Sequence, residues 1–215
     1  MNVIVTCGPS YEPIDQVRRI TNFSTGRLGI TLANAFTDAG HRVYCLKGEQ
    51  ATDCTTLRAH EISFFSTNDD LAAKLAQLAQ RKPQNFDAIF HAAALCDFKV
   101  ADVKNEAGEK ITSAKFPTRG DHLTLTLEPT TKILPQLRAW FPNAKIVGWK
   151  YELTGSRDEA IAKALAQISE ARTNGCVLNG AAYGPGFLFS SYAGSVELAT
   201  TADLCRHLVE WTLRY

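Results

Sequence analysis

Two hydrophobic periods alternate along the chain. "NVIVTC" (2–7), "HRVYCLK" (41–47), "DAIFHAAA" (87–94), "AKIVGWK" (144–150) and "GCVLNG" (175–180) are short, nearly continuous apolar runs, the pattern of strands buried on both faces of a parallel sheet. Between them, "GRLGITLANAFTDA" (26–39), "NDDLAAKLAQLAQRK" (68–82), "TTKILPQLRAW" (130–140) and "SRDEAIAKALAQISEAR" (156–172) repeat apolar positions every three or four residues and predict helices. Gly40 should close the first helix, Ser66 or Thr67 should cap the second, and Ser156 with Glu159 should form a capping box on the fourth. "EISFFS" (61–66) adds a short strand, and "FLFSSYAGSVELA" (187–199) predicts a hairpin turning near Ala193-Gly194 before a last helix, "ADLCRHLVEWTLRY" (202–215). The alternation predicts an α/β fold with a Rossmann-like, doubly wound, mostly parallel sheet.

Two stretches break the rhythm. After the first strand, "GPSYEPIDQVRRITNF" (8–23) delays the first helix and brings two acids, two arginines and Asn22 to the carboxyl end of the strand, where such folds bind ligands. The glycine fingerprint of dinucleotide-binding folds is absent there. The second stretch, "DFKVADVKNEAGEKITSAKFPTRGD" (97–121), is polar and without period and predicts a flap over about 98–120. "HLTLTLEP" (122–129) then alternates cleanly, as an antiparallel or edge strand with Leu123, Leu125 and Leu127 on one side.

Composition adds boundaries. With 215 residues, 45% hydrophobic and 21% charged, the chain suits a single domain over 1–215 that needs no disulfide or metal to hold its core. A net charge of +1 gives no general attraction to nucleic acid or anionic membrane. No apolar run reaches about 20 residues, which with the strand at the N-terminus predicts a cytoplasmic protein. The six cysteines show no C-x-x-C pair or zinc spacing and the five histidines no metal spacing, so no metal ligand is assigned.

Several residues carry candidate chemistry. Ser24, Thr25 and Gly26 stand where a helix N-terminus would favour phosphate or carboxylate; they serve equally as a plain cap, and Asn22 either caps the same helix or points its amide at a ligand. Asp97 follows three alanines, so a flat group lying on them would meet a carboxylate at its edge; the alternative is a turn residue opening the flap. Lys115 is either a solvated flap charge or a ligand contact. Lys132 precedes a helix, where a cation suits a bound phosphate better than it suits the helix. His91, inside an apolar strand, is read as a hydrogen-bonded core histidine. Asn179 and the glycines of "LNGAAYGPGFLF" mark a tight loop or a backbone close to a ligand.

These stretches, in this order, resemble the phosphopantothenoylcysteine synthetase (phosphopantothenate-cysteine ligase) family along nearly the whole chain. The resemblance rests on "TCGPSYEPIDQVRRITNFSTGRLG", "HAAALCDF", "AKFPTRGDHLTLTLEPTTKIL", "IVGWKYEL" and "GCVLNG". It implies a ligase of coenzyme A biosynthesis that joins 4'-phosphopantothenate to cysteine through an acyl-nucleotidylate, with CTP favoured and ATP the alternative, Mg²⁺ accompanying the nucleotide, and a homodimer. By position it implies Asn22 and Lys115 as catalytic residues, and Gly8, Ser24, Thr25, Gly26, Ala94, Asp97, Thr131, Lys132, Ile133, Leu134 and Trp149 as nucleotide-binding. Relatives often carry a flavin-dependent decarboxylase domain; here the chain starts at the synthetase domain, so no flavin is expected and the decarboxylase would be a separate protein. The chain departs from the family where two helix lysines are usual: counting back from Asn179, Gln167 and Ala171 stand there, with Lys163 or Arg172 as substitutes. "GWKYEL" also stands where the family shows "GFAAET". Two other readings share the pattern. One is a non-catalytic relative that binds nucleotide or a partner. The other, a nicotinamide-dependent reductase, is disfavoured by the missing fingerprint and the lack of an acid ending "HRVYCLK".

Overall fold

A computed structural model of the chain describes residues 1–81, 85–116 and 122–214. Strand β1 (Asn2–Cys7) is followed by a small hairpin, β2 (Tyr11–Pro13) and β3 (Arg19–Thr21), and only then by α1 (Arg27–Asp38). Next come β4 (Arg42–Gly48), β5 (Glu61–Phe65), α2 (Asn68–Ala79) and β6 (Ala88–His91). A two-stranded ribbon, β7 (Phe98–Lys104) with β8 (Thr124–Pro129), interrupts the α/β alternation. It then resumes with α3 (Leu134–Trp140), β9 (Lys145–Tyr151), α4 (Arg157–Glu170), β10 (Gly175–Gly180), β11 (Gly184–Ser191), β12 (Gly194–Leu198) and α5 (Thr201–Arg214).

The main sheet has eight strands in the order β12-β11-β10-β9-β6-β1-β4-β5. The six from β5 to β10 run parallel, and β11 and β12 form an antiparallel hairpin at one edge. The chain winds outward from β1 to β5, returns to β6, and winds outward the other way, so its direction reverses between β1 and β6. Alternate side chains of β1 serve opposite faces. Val3, Val5 and Cys7 pack with Ile30, Phe36 and Leu208 from α1 and α5, whereas Ile4 joins Leu71, Leu75 and Leu137 from α2 and α3. Helix α4 covers the same face as α2 and α3, over Cys176 and Leu178 of β10.

The terminators act as their chemistry dictates. Gly40 adopts φ 81° after α1, and the His41 amide donates back to the Phe36 carbonyl at 3.0 Å, so the glycine closes the helix. The Ser156–Glu159 capping box forms in both directions, and Thr67 caps α2 through the Asp70 amide. At α1 the expectation differs: the cap is Gly26 at φ 82°, with no side-chain cap bond, because Asn22 instead donates to the Leu95 carbonyl at 2.8 Å. Helix α2 ends at Ala79 with Gln80 as its cap, short of the expected end; Lys82 and Tyr215, like flap positions 117–120, lie outside the described residues.

Both stretches read as irregular contain strands. The first loop folds into the β2–β3 hairpin. In the flap, residues 98–104 pair with β8, and a register shift between Val100 and Asp102 breaks the alternation that would have revealed a strand. The ribbon stays outside the main sheet.

One buried side chain ties these insertions together. Asn68, at the start of α2, accepts from Ser10 Oγ at 2.7 Å through Oδ1. Its Nδ2 donates to the Cys96 carbonyl and Thr130 Oγ1, both at 2.9 Å, and to the Thr131 carbonyl at 3.2 Å. Ser10 Oγ also accepts from the Cys96 amide at 2.9 Å. Asn68 is 2% exposed and Ser10 fully buried, so each bond replaces water that cannot enter.

We expect Asn68→Ala to lower unfolding stability by roughly 2–4 kcal/mol, since it strands several buried polar groups at once. Urea unfolding followed by circular dichroism measures it; a loss below about 0.5 kcal/mol would show that the network is dispensable.

Candidate functional site

The crevice at the β1/β6 reversal is bridged. Ala94 donates from its amide to the Gly8 carbonyl at 3.0 Å and accepts from the Ser10 amide at 3.2 Å, extending the two strands across the usual ligand opening. Gly8 and Gly26 sit beside it with positive φ. A Cβ on either would meet the Ala51 Cβ, at 2.8 and 3.0 Å respectively. Their bare backbones therefore accommodate the loop after β4, in the position where a dinucleotide fold would place pyrophosphate. That packing counts against the reductase reading.

An open cavity of about 600 Å³ lies instead at the carboxyl ends of β6 and β9, against α4. It gathers Asp97, Thr131, Lys132, Ile133, Leu134 and Trp149, residues from three separated stretches of sequence. Thr130 sets their positions. Its amide donates to the Asp97 carbonyl at 3.0 Å and its hydroxyl to the Cys96 carbonyl at 2.5 Å, so the segment before α3 is bonded to the loop after β6. Asp97 and Lys132 form an ion pair at the rim, with side chains 70% and 59% exposed. A pair so exposed contributes little to stability, so a ligand group can replace either partner at small cost. Thr131 Oγ1 donates to Asp69. Trp149 Nε1 is buried and finds no acceptor among the described residues.

The other sequence-designated residues stand apart from this wall. Asn22 reaches the rim through its bond to Leu95, a cavity-lining residue, and so borders the site without forming its wall. Ser24 and Thr25 lie at the α1 N-terminus, where Thr25 Oγ1 accepts from the Arg27 amide at 3.3 Å and the Thr25 carbonyl from the Asp53 amide at 3.0 Å. Lys115 is held elsewhere. The Ala114 carbonyl accepts from the Gln16 amide at 3.0 Å, and the Phe116 amide donates to Asp15 Oδ2 at 3.2 Å, clasping this part of the flap to the turn of the β2–β3 hairpin. Burial raises the Asp15 pKa, but the amides of Val17, Arg18 and Phe116 and the Arg18 charge outweigh it and hold the carboxyl below its ordinary value.

Helix α4 lines the cavity with Lys163, Gln167 and Ala171, and Arg172 lies off the wall. Gln167 covers Gly148, where a Cβ would fall 2.5 Å from Nε2, and it donates to Cys176 Sγ at 3.3 Å. His91 also borders the cavity, bonded through Nδ1 to Thr6 Oγ1 at 2.8 Å. Sequence reading did not find Asn68, Ser10 and Thr130. Such polar residues are indistinguishable from caps and turn formers until the fold buries them.

A second cavity, of about 550 Å³, lies at the opposite end of the strands, beside Phe86, Trp140 and Lys145. Lys145 Nζ there donates to the Thr212 carbonyl at 2.6 Å, a structural bond between β9 and α5. Among the described residues no group of three or more His, Cys, Asp or Glu could hold a metal ion, and no helix is long and apolar enough to cross a membrane.

Fold and cavity together define a Rossmann-like α/β domain whose candidate site lies on the β6–β9 side of the strand-order reversal. Residues 1–206 match the DNA/pantothenate metabolism flavoprotein C-terminal domain, and the chain belongs to that family. The resemblance to phosphopantothenoylcysteine synthetase stands with it. A curated relative, the coenzyme A biosynthesis bifunctional protein CoaBC of Thermococcus kodakarensis, is 33% identical over 177 residues, which are 82% of this chain and 40% of that protein. The chain thus spans less than half the length of that relative. Among solved structures, the DNA/pantothenate metabolism flavoprotein from Streptococcus pneumoniae superposes with a TM-score of 0.88 at 20% identity, covering 100% of this chain and 99% of that one. A Cab2 mutant in complex with phosphopantothenate-cysteine gives 0.73 at 20% identity, covering 99% and 85%. These likenesses establish the shared fold.

His91 supplies a pH test. Burial drives its pKa down to about 4, so the folded chain keeps it neutral while the unfolded chain protonates it near 6.5. Between those values the unfolded state binds the extra proton, so the contribution is complete above pH 6.5 and is lost as pH falls toward 4, by roughly 3 kcal/mol in all. We expect His91→Gln to flatten the stability profile between pH 7 and 4.5 relative to wild type in urea titrations. Parallel profiles would mean that His91 does not carry this dependence.

Proposed function

We propose that this chain is a phosphopantothenate-cysteine ligase of coenzyme A biosynthesis that works through an acyl-nucleotidylate, with CTP favoured over ATP. The observation that carries the reading is the convergence of Asp97, Thr131, Lys132, Ile133, Leu134 and Trp149 on one cavity. The family membership supports the same class of reaction. In the first step a carboxylate oxygen of phosphopantothenate attacks the α-phosphorus and pyrophosphate leaves. In the second, the cysteine amine adds to the acyl carbon, nucleoside monophosphate leaves with the bonding pair, and the amine gives up a proton. Activation is needed because the carboxylate's charge and resonance repel a nucleophile.

Each residue then has a task. Asp97 would accept hydrogen bonds from the base once Lys132 turns to phosphate, and Trp149 offers an apolar wall and an unspent N–H. Asn22 spends one amide hydrogen on Leu95, which fixes the side chain and leaves its second hydrogen for the acyl or phosphoryl oxygen. Lys115 would stabilise charge at the α-phosphate, and this requires the 114–116 segment to leave the Asp15 turn. Ser24, Thr25, Gly8 and Gly26 serve the α1 side of the site. Magnesium would be held by phosphate oxygens and water, since the described residues build no cage for it.

Pyrophosphate release on mixing the protein with phosphopantothenate, run separately with CTP and ATP and before and after adding cysteine, tests this reading. Release with CTP ahead of cysteine is expected; no release with either nucleotide would favour the non-catalytic alternative. Asn22→Asp should slow the reaction about 10²–10³-fold in a folded protein, by placing an anion where a donor is needed. Unchanged turnover would remove Asn22 from the mechanism.

The ribbon supports a proposal for assembly. Every position of β8 is exposed, and Leu125 and Leu127 are 36% and 45% exposed beside Phe98 at 50%. A second copy pairing along this strand would cover the apolar surface and the edge that is unpaired among the described residues. We expect a homodimer that Leu125→Lys weakens in sedimentation velocity at micromolar concentration; a wild-type monomer there would refute it.

A further inference from the structure

The cavity is bordered by a polar atom that has no task in the ligation steps. Thr6 on β1, His91 on β6 and Gly148 on β9 are neighbours in register, one row across three strands. They stand two residues beyond Ile4, Ile89 and Ile146, and so on the sheet face that packs against α2 and α3. Gly148 adds no side chain to the row, and Leu134 and Gln167 lie over it. His91, Leu134 and Gln167 all line the cavity.

Thr6 fixes which ring nitrogen of His91 carries the proton. It is fully buried, and its hydroxyl oxygen accepts from the Ala93 amide at 3.3 Å. Among the described residues the hydroxyl hydrogen has one acceptor, His91 Nδ1 at 2.8 Å. Were Nδ1 protonated, the ring would donate to Oγ1 and the buried hydroxyl hydrogen would be left unpaired. Thr6 therefore donates, Nδ1 accepts, and the proton of the neutral imidazole sits on Nε2. Burial favours that neutral form, with the pKa pushed down to about 4. Nε2 has no partner among the described residues, and it is not sealed from solvent as the Nε2 atoms of His41 and His207 are. The lysines of the wall are paired with carboxylates, Lys132 with Asp97 and both Lys150 and Lys163 with Glu152. His91 Nε2–H is instead a neutral donor, suited to a carbonyl oxygen.

We propose that His91 is a specificity-determining residue whose Nε2–H selects cytosine over adenine, and that Thr6 is the positioning residue that keeps the proton on Nε2. Both bases offer an exocyclic amine to the Asp97 carboxylate, so Asp97 by itself does not separate them. Superposed on that amine and the ring nitrogen beside it, cytosine presents a carbonyl oxygen where adenine presents a C–H. With cytosine the donor is satisfied. With adenine the same N–H is cut off from water and left unpaired, and a site built to hydrogen-bond one ligand rejects its analogue for that reason. The inference rests on the ligase reading for the natural ligand, a nucleoside triphosphate.

Nitrogen-15 NMR of the histidine rings of the whole protein, titrated with CMP or AMP and without phosphopantothenate or cysteine, tests this independently of ligation. In the free protein His91 should show a protonated Nε2 and an unprotonated Nδ1, and CMP should shift Nε2 whereas AMP should not. His91→Phe should weaken CMP binding about tenfold, by removing one hydrogen bond, and leave AMP affinity unchanged. Thr6→Val should let the proton populate Nδ1 and reduce the preference for CMP in step. A proton on Nδ1 in the wild type, no Nε2 shift with CMP, or equal losses of CMP and AMP affinity in His91→Phe overturns the proposal. The two wild-type readouts decide it even where His91→Phe fails to fold. CMP selected as expected, with no pyrophosphate release in the ligase assay, would sink the ligase reading and leave base selection by His91 standing.

Discussion

The hydrogen bonds of Asn68 are the constraint on which the rest of the site depends. The centre of the main sheet does not depend on them, because β1, β4, β6, β9 and β10 are largely apolar and are covered by helices. The loop after β1, the loop after β6 and the segment before α3 have no such drive. Each is polar, and each must leave one or two backbone groups away from water near the strand ends. A single amide side chain, with an acceptor for Ser10 and donors for Cys96, Thr130 and Thr131, satisfies all three segments at once. Asp97 and Lys132 can face one another across the cavity rim because the residues beside them, Cys96 and Thr131, share this one partner.

The insertions also explain where the cavity lies. An open α/β sheet offers its ligand crevice where strand order reverses, but here the Gly8–Ala94 and Ser10–Ala94 bonds span that crevice and Ala51 fills the space beside Gly8 and Gly26. The remaining opening is toward β9 and α4. Its walls are small or flat at Ala93 and Trp149 and charged elsewhere, so a planar base and an anionic tail would meet different surfaces. The charged side consists of lysines already paired with carboxylates. Such pairs hold their geometry in the free protein and lose little when a ligand replaces one member.

The clasp at Asp15 performs a similar task for the flap. Its carboxylate gathers the amides of Val17, Arg18 and Phe116 and the Arg18 guanidinium, with its own side chain excluded from solvent. Three of these four bonds are local to the hairpin turn and one reaches across about a hundred residues of chain. The local bonds shape the turn; the distant one fixes where the 114–116 segment rests and keeps Lys115 away from the cavity wall.

Sequence by itself determined the frame. Continuous apolar runs identified β1, β4, β6, β9 and β10 of the main sheet, and capping chemistry at Thr67, Ser156 and Gly40 marked helix ends, because these depend on neighbours a few residues away. Of the residues that the family resemblance implies, Asp97, Thr131, Lys132, Ile133, Leu134 and Trp149 line the cavity, whereas Gly8, Ser24, Thr25, Gly26, Ala94, Asn22 and Lys115 do not. Tertiary structure decided what depends on distant partners. β7 escaped reading because a register shift masks its alternation. Asn22 does not cap α1 because Leu95, 73 residues away, takes its amide hydrogen. Gly26 accommodates Ala51, and Glu152 collects two lysines from different elements. A local pattern records periodicity and turn chemistry, whereas the partner of a polar side chain is set by which segments the fold brings within 3 Å, and no spacing along the chain encodes that distance.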